Sequence, residues 1–302
     1  MDRNGMAVVA RLRGVTKTLG GRPVLNAISL EVRAGEVTAL LGPNGAGKTT
    51  TVGVLTGRFA PDAGEAELFG LDPGRPAARA RIGVVLQSAG LPDVLTVREL
   101  VSLHSGYYRR PREIHETMAL AGLEGLEKRR AGALSGGQLR RLHYALAICG
   151  QPDLLVLDEP TTGLDHEARR RLWSSVRAEA DAGTAVLLTT HYLEEADALA
   201  DRIIVIDDGR IVADATPSGI KADVAGSTIR CRTMLPDPAL AALPGVRSVR
   251  RSGGAATLLV ADGAVAARAL LGADPSVSDL TISAASLEDA LGDLSATIRK
   301  AA

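Results

Sequence analysis

Short apolar runs alternate with amphipathic stretches along most of this chain, and the alternation predicts an architecture. Val37–Leu41, Ile82–Leu86, Leu154–Leu157, Ala185–Thr189 and Ile203–Ile206 are nearly unbroken apolar runs, the pattern of strands buried on both faces. Between them Lys48–Thr56, Val97–Tyr107, Arg112–Ala121, Gly137–Cys149 and Glu167–Ala180 carry apolar residues at helical spacing, several behind a Thr, Ser or Asp cap. Strand and helix in alternation imply βαβ units around a parallel sheet. The first stretch differs. Val8–Val15 and Val24–Val32 flank a Gly20-Gly21 turn and read as antiparallel strands, with Ala66–Phe69 joining them.

The pattern weakens after Gly209, where Thr216-Pro217-Ser218 caps a short helix through Val224. A second pattern starts at Ser227: Ser227–Met234 as strand, Pro238–Ala242 as helix, Val246–Arg251 and Ala256–Val260 as strands, Ala264–Leu271 as helix and Val277–Ile282 as strand. That βαββαβ sequence is the ferredoxin-like order, and a last helix is expected at Leu287–Leu294. The expected domains are therefore 7–225 and a small α+β domain at 226–302.

Composition narrows the class. The chain has 302 residues, 46% of them hydrophobic but only 2% aromatic, so Ala, Val, Leu and Ile must fill the core, as suits an α/β fold. Lys plus Arg and Asp plus Glu both number 35, which removes a global electrostatic case for binding nucleic acid. The basic spots Arg109–Arg112, Lys128–Arg130 and Arg169–Arg171 lack interleaved aromatics and read as solvated helix faces. Cys149 and Cys231 stand far apart with no partner at metal-ligand spacing, so neither zinc nor a disulfide framework is indicated. No window approaches the ~18–20 apolar residues of a spanning helix, and Met1–Arg13 lacks the apolar stretch of a signal peptide. A cytosolic chain is expected, and any membrane role must come through a partner.

Three segments carry chemistry. The strand Val37–Leu41 runs into Gly42-Pro43-Asn44-Gly45-Ala46-Gly47-Lys48-Thr49, which satisfies G-x-x-x-x-G-K-[ST] in the strand-to-helix setting the motif requires, with Thr50 following. Such a loop turns backbone N–H groups onto phosphates, adds the Lys48 cation and offers the Thr49 hydroxyl to Mg²⁺. Leu154–Leu157 ends in Asp158 and Glu159 at the carboxyl end of a buried strand, where α/β sheets bind ligands. Asp158 would hold Mg²⁺ and Glu159 would polarise an attacking water. Leu134-Ser135-Gly136-Gly137-Gln138 opens a helix and forms a second anion-binding terminus, with Ser135 as cap and phosphate donor. One nucleotide needs one cradle, so the second implies a nucleotide held by another copy.

Together these motifs resemble the ATPase subunit of an ABC transporter, over roughly Ala7 to Lys221. The resemblance implies a P-loop NTPase fold: a RecA-like parallel sheet, an antiparallel β subdomain and a helical subdomain at about 90–136. It also implies roles. Gln87 matches the Q-loop, a further Mg²⁺ contact; Gly163-Leu164-Asp165 matches the D-loop; and His191 matches the switch histidine that contacts the γ-phosphate. His104, His115, His143 and His166 have no such context. Thr189–Asp197, Gly209–Ala213 and a tail closing in Ser286-Leu287-Glu288-Asp289-Ala290-Leu291 are similar to daunorubicin-type export ATPases. One position departs: the family's adenine-stacking aromatic is replaced by Leu19.

The expectation is thus a homodimer binding ATP and Mg²⁺ and hydrolysing ATP. It would work at the cytoplasmic face of a bacterial cell membrane and drive export of a drug-like or hydrophobic substrate through a separate transmembrane permease, with no nucleic-acid partner. The alternatives are an importer ATPase with a regulatory C-terminal domain and a soluble ABC protein. Only one cassette is present and the span from Gln87 to Ser135 is short, which counts against the second.

Overall fold

The computed structural model describes residues 6–87, 90–223 and 226–284. These fall into two compact units that meet between Asp214 and Ala215, upstream of the expected boundary.

In the first unit, β1 (Val8–Leu19) and β2 (Arg22–Arg33) form an antiparallel hairpin in which Leu19 pairs with Arg22. Both strands run longer than the period-two pattern showed. Register shifts between Leu12 and Val15 and again between Val15 and Lys17, with left-handed Gly14 and Ala27, break the alternation that a sequence reading follows. The hairpin leads to β3 (Val37–Leu41), buried along its whole length, and then to helix α1 (Lys48–Leu55). Strand β4 (Ala63–Leu68) joins β1 to complete a three-stranded sheet in the order β2-β1-β4. It ends one residue before the expected Phe69, whose φ of 54° turns the chain out of the strand.

Short helix α2 (Pro76–Arg79) precedes β5 (Ile82–Val85), and three helices follow: α3 (Val97–Ser105), α4 (Ile114–Leu120) and α5 (Gly136–Ile148). The sequence explains the start of α3. Thr96 Oγ1 accepts from the Glu99 N–H at 3.2 Å while the Glu99 carboxylate accepts from the Thr96 N–H at 2.8 Å, a reciprocal cap. Val97 and Leu100 of α3, Met118 of α4 and Leu142 of α5 bury the facing sides of these helices in one core, which Leu123 after α4 joins. The chain then runs through β6 (Leu154–Asp158), α6 (His166–Asp181), β7 (Ala185–Thr190), α7 (Leu193–Leu199), β8 (Arg202–Asp207) and β9 (Arg210–Ala215). The main sheet has six strands in the order β5-β6-β7-β3-β8-β9, and β5, β6, β7, β3 and β8 are parallel. Its register sets Leu41 beside Thr190 and Asp158 beside Thr189, which brings three strand ends level.

Arg112 corrects the reading of Arg109–Arg112 as a solvated face. Its guanidinium forks onto Glu179 of α6 at 2.5 and 3.2 Å, and the Glu179 side chain is only 7% exposed. The Arg112 N–H also donates to the Cys149 carbonyl at 2.7 Å, so the segment before α4 is tied to the end of α5 and to α6. Removing one member of a buried pair leaves the other charge uncompensated. Arg112→Ala is therefore expected to cost about 3–5 kcal/mol of stability. Arg112→Ala with Glu179→Leu should recover most of it, as read by denaturant unfolding of the three chains.

The second unit opens with α8 (Pro217–Asp223). It continues through β10 (Ser227–Arg232), α9 (Asp237–Ala241), β11 (Val246–Ser252), β12 (Ala255–Val260), α10 (Gly263–Ala273) and β13 (Ser278–Ala284). The four strands form an antiparallel sheet in the order β11-β12-β10-β13. Ile229, Cys231, Leu258, Val260, Ala266 and Leu270 supply its core. Asp262 caps α10 by accepting from the N–H groups of Ala264 and Val265. The helix expected at Leu287–Leu294 lies outside the described residues.

Candidate functional site

The level ends of β3, β6 and β7 put three loops against one cleft. Its lining includes Val24, Asn44, Gly45, Gly47, Lys48, Thr49, Thr50, Gln87, Glu159 and His191, and it encloses about 470 Å³. The loop from β3 to α1 needs its glycines. A Cβ on Gly42 would collide with the Ile206 carbonyl, and Gly47, at φ 109°, would drive one to 2.7 Å from Leu25 Cδ2. The N–H groups of a helix's first turn have no intrahelical acceptor and α1 has no side-chain cap to take them, so its first residues, Lys48, Thr49 and Thr50, which line the cleft, make an anion-binding terminus.

Lys48 is 6% exposed, and its Nζ donates to the carbonyls of Gly42 at 2.7 Å and Pro43 at 3.0 Å. Burial pushes its amine below the ordinary value, opposed by the charges of Glu159 and Asp158. A phosphate would add a further negative charge beside this desolvated cation. Glu159 is held in the left-handed region at φ 50°, an uncommon state for a residue with a Cβ. Its N–H donates to the Thr189 carbonyl at 3.1 Å, which fixes that backbone. Gln87 Nε2 donates to Glu159 Oε2 at 3.3 Å, and His191 Nδ1 lies 3.3 Å from Glu159 Oε1. Gln87, Glu159 and His191, far apart in sequence, thus converge on one carboxylate at the mouth of the phosphate loop.

Asp158 sits behind them, 1% exposed. Its Oδ1 accepts from Thr189 Oγ1 at 2.5 Å, while the equally buried Oδ2 has no partner. An orphaned buried carboxylate oxygen, together with the Thr49 hydroxyl and the Gln87 amide oxygen from the cleft wall, offers hard oxygen donors of the kind that suit Mg²⁺ completed by phosphate and water. Among the described residues no group of three His, Cys, Asp or Glu side chains could hold a metal unaided.

Ser135, Gly136, Gly137 and Gln138 do not line this cleft. Ser135 Oγ accepts from the Gln138 N–H at 3.3 Å and Gln138 Oε1 accepts from the Ser135 N–H at 3.0 Å, so within the chain both residues cap α5. Leu134 is half-buried, while Ser135 and Gly136 are exposed. A second cleft of about 550 Å³ includes Gln87, Gly90, Gly136, Leu139, Arg140, His143, Thr162 and Gly163 in its wall, so Gln87 borders both. Asp165 caps α6 through its Oδ1, which accepts from the Ala168 N–H at 2.8 Å.

Several residues escaped the sequence reading. Val24 is one of them and lines the cleft, whereas Leu19, which the sequence points to, is half-buried at the hairpin turn and is not among the lining residues. Arg140 donates to the carbonyls of Leu86 at 3.2 Å and Gln87 at 3.4 Å, and burial lowers its ordinary value against the pull of Glu159 and Asp158. Thr189 braces both acidic residues. Only Thr189 carried a signal, as a hydroxyl at the end of a buried strand. His143, which has no motif context in the sequence, borders the second cleft.

A glycine-bearing phosphate loop, a converging carboxylate and a parallel sheet define a P-loop nucleoside triphosphatase. The ABC transporter family model matches residues 25–162. Nod factor export ATP-binding protein I of Burkholderia orbicola (strain AU 1054) is 37% identical over 278 residues, 79% of this chain and 91% of that protein. The daunorubicin/doxorubicin resistance ATP-binding protein of Streptomyces peucetius is 44% identical over 226 residues, 72% of this chain and 68% of that protein. Among solved structures, an ATP-binding subunit of an ABC transporter superposes with a TM-score of 0.66 at 25% identity, covering 71% of this chain and 92% of that one. A dimeric bacterial ABC transporter cassette does so with a TM-score of 0.61 at 26% identity, covering 68% and 98%. The chain belongs to the ABC transporter family, as an ATP-hydrolysing subunit of the export type. No helix among the described residues is long and apolar enough to cross a membrane.

Proposed function

We propose that two copies of this chain pair head to tail and bury two ATP molecules between the Gly42–Thr50 loop of one copy and Leu134–Gln138 of the other. The observation that carries this reading is the position of Ser135–Gln138, which opens to the surface and lines none of the chain's own phosphate cleft. Within each site Lys48 and the loop N–H groups bind the phosphates. Glu159 takes a proton from the attacking water, with Gln87 and His191 holding its carboxylate and His191 reading the γ-phosphate. Asp165 contributes at the dimer face. Thr49, Gln87 and Asp158 would hold Mg²⁺, which would supply neutralisation of phosphate charge.

The dimer works at the cytoplasmic face of the bacterial cell membrane, against a separate transmembrane permease received by the helical subdomain at about 90–136. The second unit is a ferredoxin-like accessory domain, supported by its βαββαβ order and by the strand order β11-β12-β10-β13. The cargo is a drug-like or hydrophobic molecule, a reading supported by the relative whose name gives daunorubicin/doxorubicin resistance. Membrane vesicles holding the chain and its permease test this. ATP should drive accumulation of a fluorescent anthracycline, and Lys48→Ala should abolish it; no ATP-dependent uptake of anthracycline or other hydrophobic dyes would remove the cargo class.

The base contact is assigned to Val24 ahead of Leu19. Val24→Ala removes about 1 kcal/mol of apolar contact, so a fluorescent ATP analogue should bind roughly 3- to 10-fold more weakly. Leu19→Ala should change its affinity less than about twofold. The reverse order in a titration would return the base to Leu19.

A further inference from the structure

The segment carrying His191 is stapled to α6 at two points. Arg169 and Trp173, one helical turn apart on α6, face Tyr192 and Glu195, which follow His191. The Arg169 guanidinium carbon lies 5.4 Å from the centre of the Tyr192 ring, and Arg169 Nη1 lies 3.9 Å from Glu194. Trp173 Nε1 donates to Glu195 Oε1 at 3.1 Å. Between these points the Tyr192 N–H donates to Thr190 Oγ1 at 2.9 Å, and the His191 and Tyr192 rings lie 4.1 Å apart.

Glu195 is the unusual member. It is 1% exposed, and its Oε2 has no hydrogen-bond partner. Burial pushes its carboxyl above the usual range, against the Thr190 and Thr161 hydroxyls, the indole and the Arg169 charge. A buried carboxylate is costly to keep, yet this one forms no part of the hydrolytic chemistry assigned above. A plain stability role would be met by an apolar residue. What the carboxylate adds is a directional bond from the first turn of α7 to α6, the helix that Asp165 caps.

We propose that Glu195 is a positioning residue for His191: through Trp173 it locks the His191 segment to α6, so the imidazole and the Asp165 end of that helix move as one body. This rests on the reading of His191 as the γ-phosphate contact. It also makes Trp173, the chain's single tryptophan, a built-in reporter of nucleotide at His191.

The test uses the full chain and reads Trp173 emission as ATP and Mg²⁺ are added, beside binding of a fluorescent ATP analogue. The wild-type emission should change on ATP addition. His191→Ala, read at nucleotide concentrations that saturate it, and Glu195→Leu should each abolish that change, and Glu195→Leu should bind the analogue within about twofold of wild type. Glu195→Gln, which keeps an acceptor for the indole, should retain it. In turnover, Glu195→Leu should lower kcat by about 10- to 100-fold with KM little moved, the mark of a displaced group. Glu195→Gln should recover kcat to within about threefold. No emission change in wild type, or a change that persists in His191→Ala, overturns the coupling even if Glu195→Leu does not fold. Failure of the wild-type chain to bind the analogue would overturn the nucleotide site itself.

Discussion

Glu159→Gln is expected to bind ATP as the parent chain does and to lose hydrolysis by about 10²–10⁴-fold, the usual contribution of a positioned base. The substitution is nearly isosteric. The backbone at φ 50° is held by the Glu159 N–H bond to the Thr189 carbonyl, which no side-chain change touches. Gln87 and His191, each 3.3 Å from a carboxylate oxygen, keep an amide oxygen between them but lose the basic one. Lys48 loses one of the two carboxylates that oppose its desolvation, but Asp158 stays in place and still favours the charged amine. Binding without turnover should hold the dimer closed, visible as an ATP-dependent dimer on gel filtration. Turnover at the parent rate would remove Glu159 from the chemistry.

Ser135→Arg should leave ATP binding intact and abolish turnover. Ser135 is exposed at the start of α5 and takes no part in the chain's own cleft, so a long cationic side chain there meets nothing that holds the chain's own nucleotide. Its local effect is loss of the bond from the Gln138 N–H, a cap worth about 1 kcal/mol. That cost falls on helix stability and not on phosphate contacts. A nucleotide presented by a second copy would meet the arginine where a small hydroxyl and glycines belong. Steady-state hydrolysis with analogue binding separates the outcomes: normal turnover would mean that no nucleotide packs on Ser135.

Much of this site was legible because its parts are local. The β3 strand, the glycines after it and α1 are contiguous in sequence, and their physical demands, buried strand, left-handed loop and uncapped helix start, are written in residue types. The same holds for β6 with its acidic end and for α5 with its Ser135 cap. What stayed hidden is tertiary or irregular. Helix α7 follows Tyr192, which supplies no side-chain cap, so nothing announced it. Bulges concealed the true lengths of β1 and β2. Arg112 reads as part of a solvated face and Arg140 and Glu195 carry no role of their own in the sequence, because only the fold reveals the Glu179 carboxylate, the Leu86 carbonyl and the Trp173 indole that each meets. Val24 gave no signal, since an apolar residue in a strand is what any core also requires.

The central claim, that each ATP is shared between two copies, is tested most directly by mixing two damaged chains. Lys48→Ala spoils the phosphate loop and Ser135→Arg spoils the surface offered to the partner's nucleotide, so each chain alone can build only defective sites. In a mixed dimer the intact loop of the Ser135→Arg chain faces the intact Ser135 of the Lys48→Ala chain, giving one sound site and one doubly damaged one. The account predicts that hydrolysis, absent in either preparation alone, appears on mixing and rises with the concentration of mixed dimer. A mixture as inactive as its two components, with both chains folded and the Ser135→Arg chain still binding ATP, would contradict it.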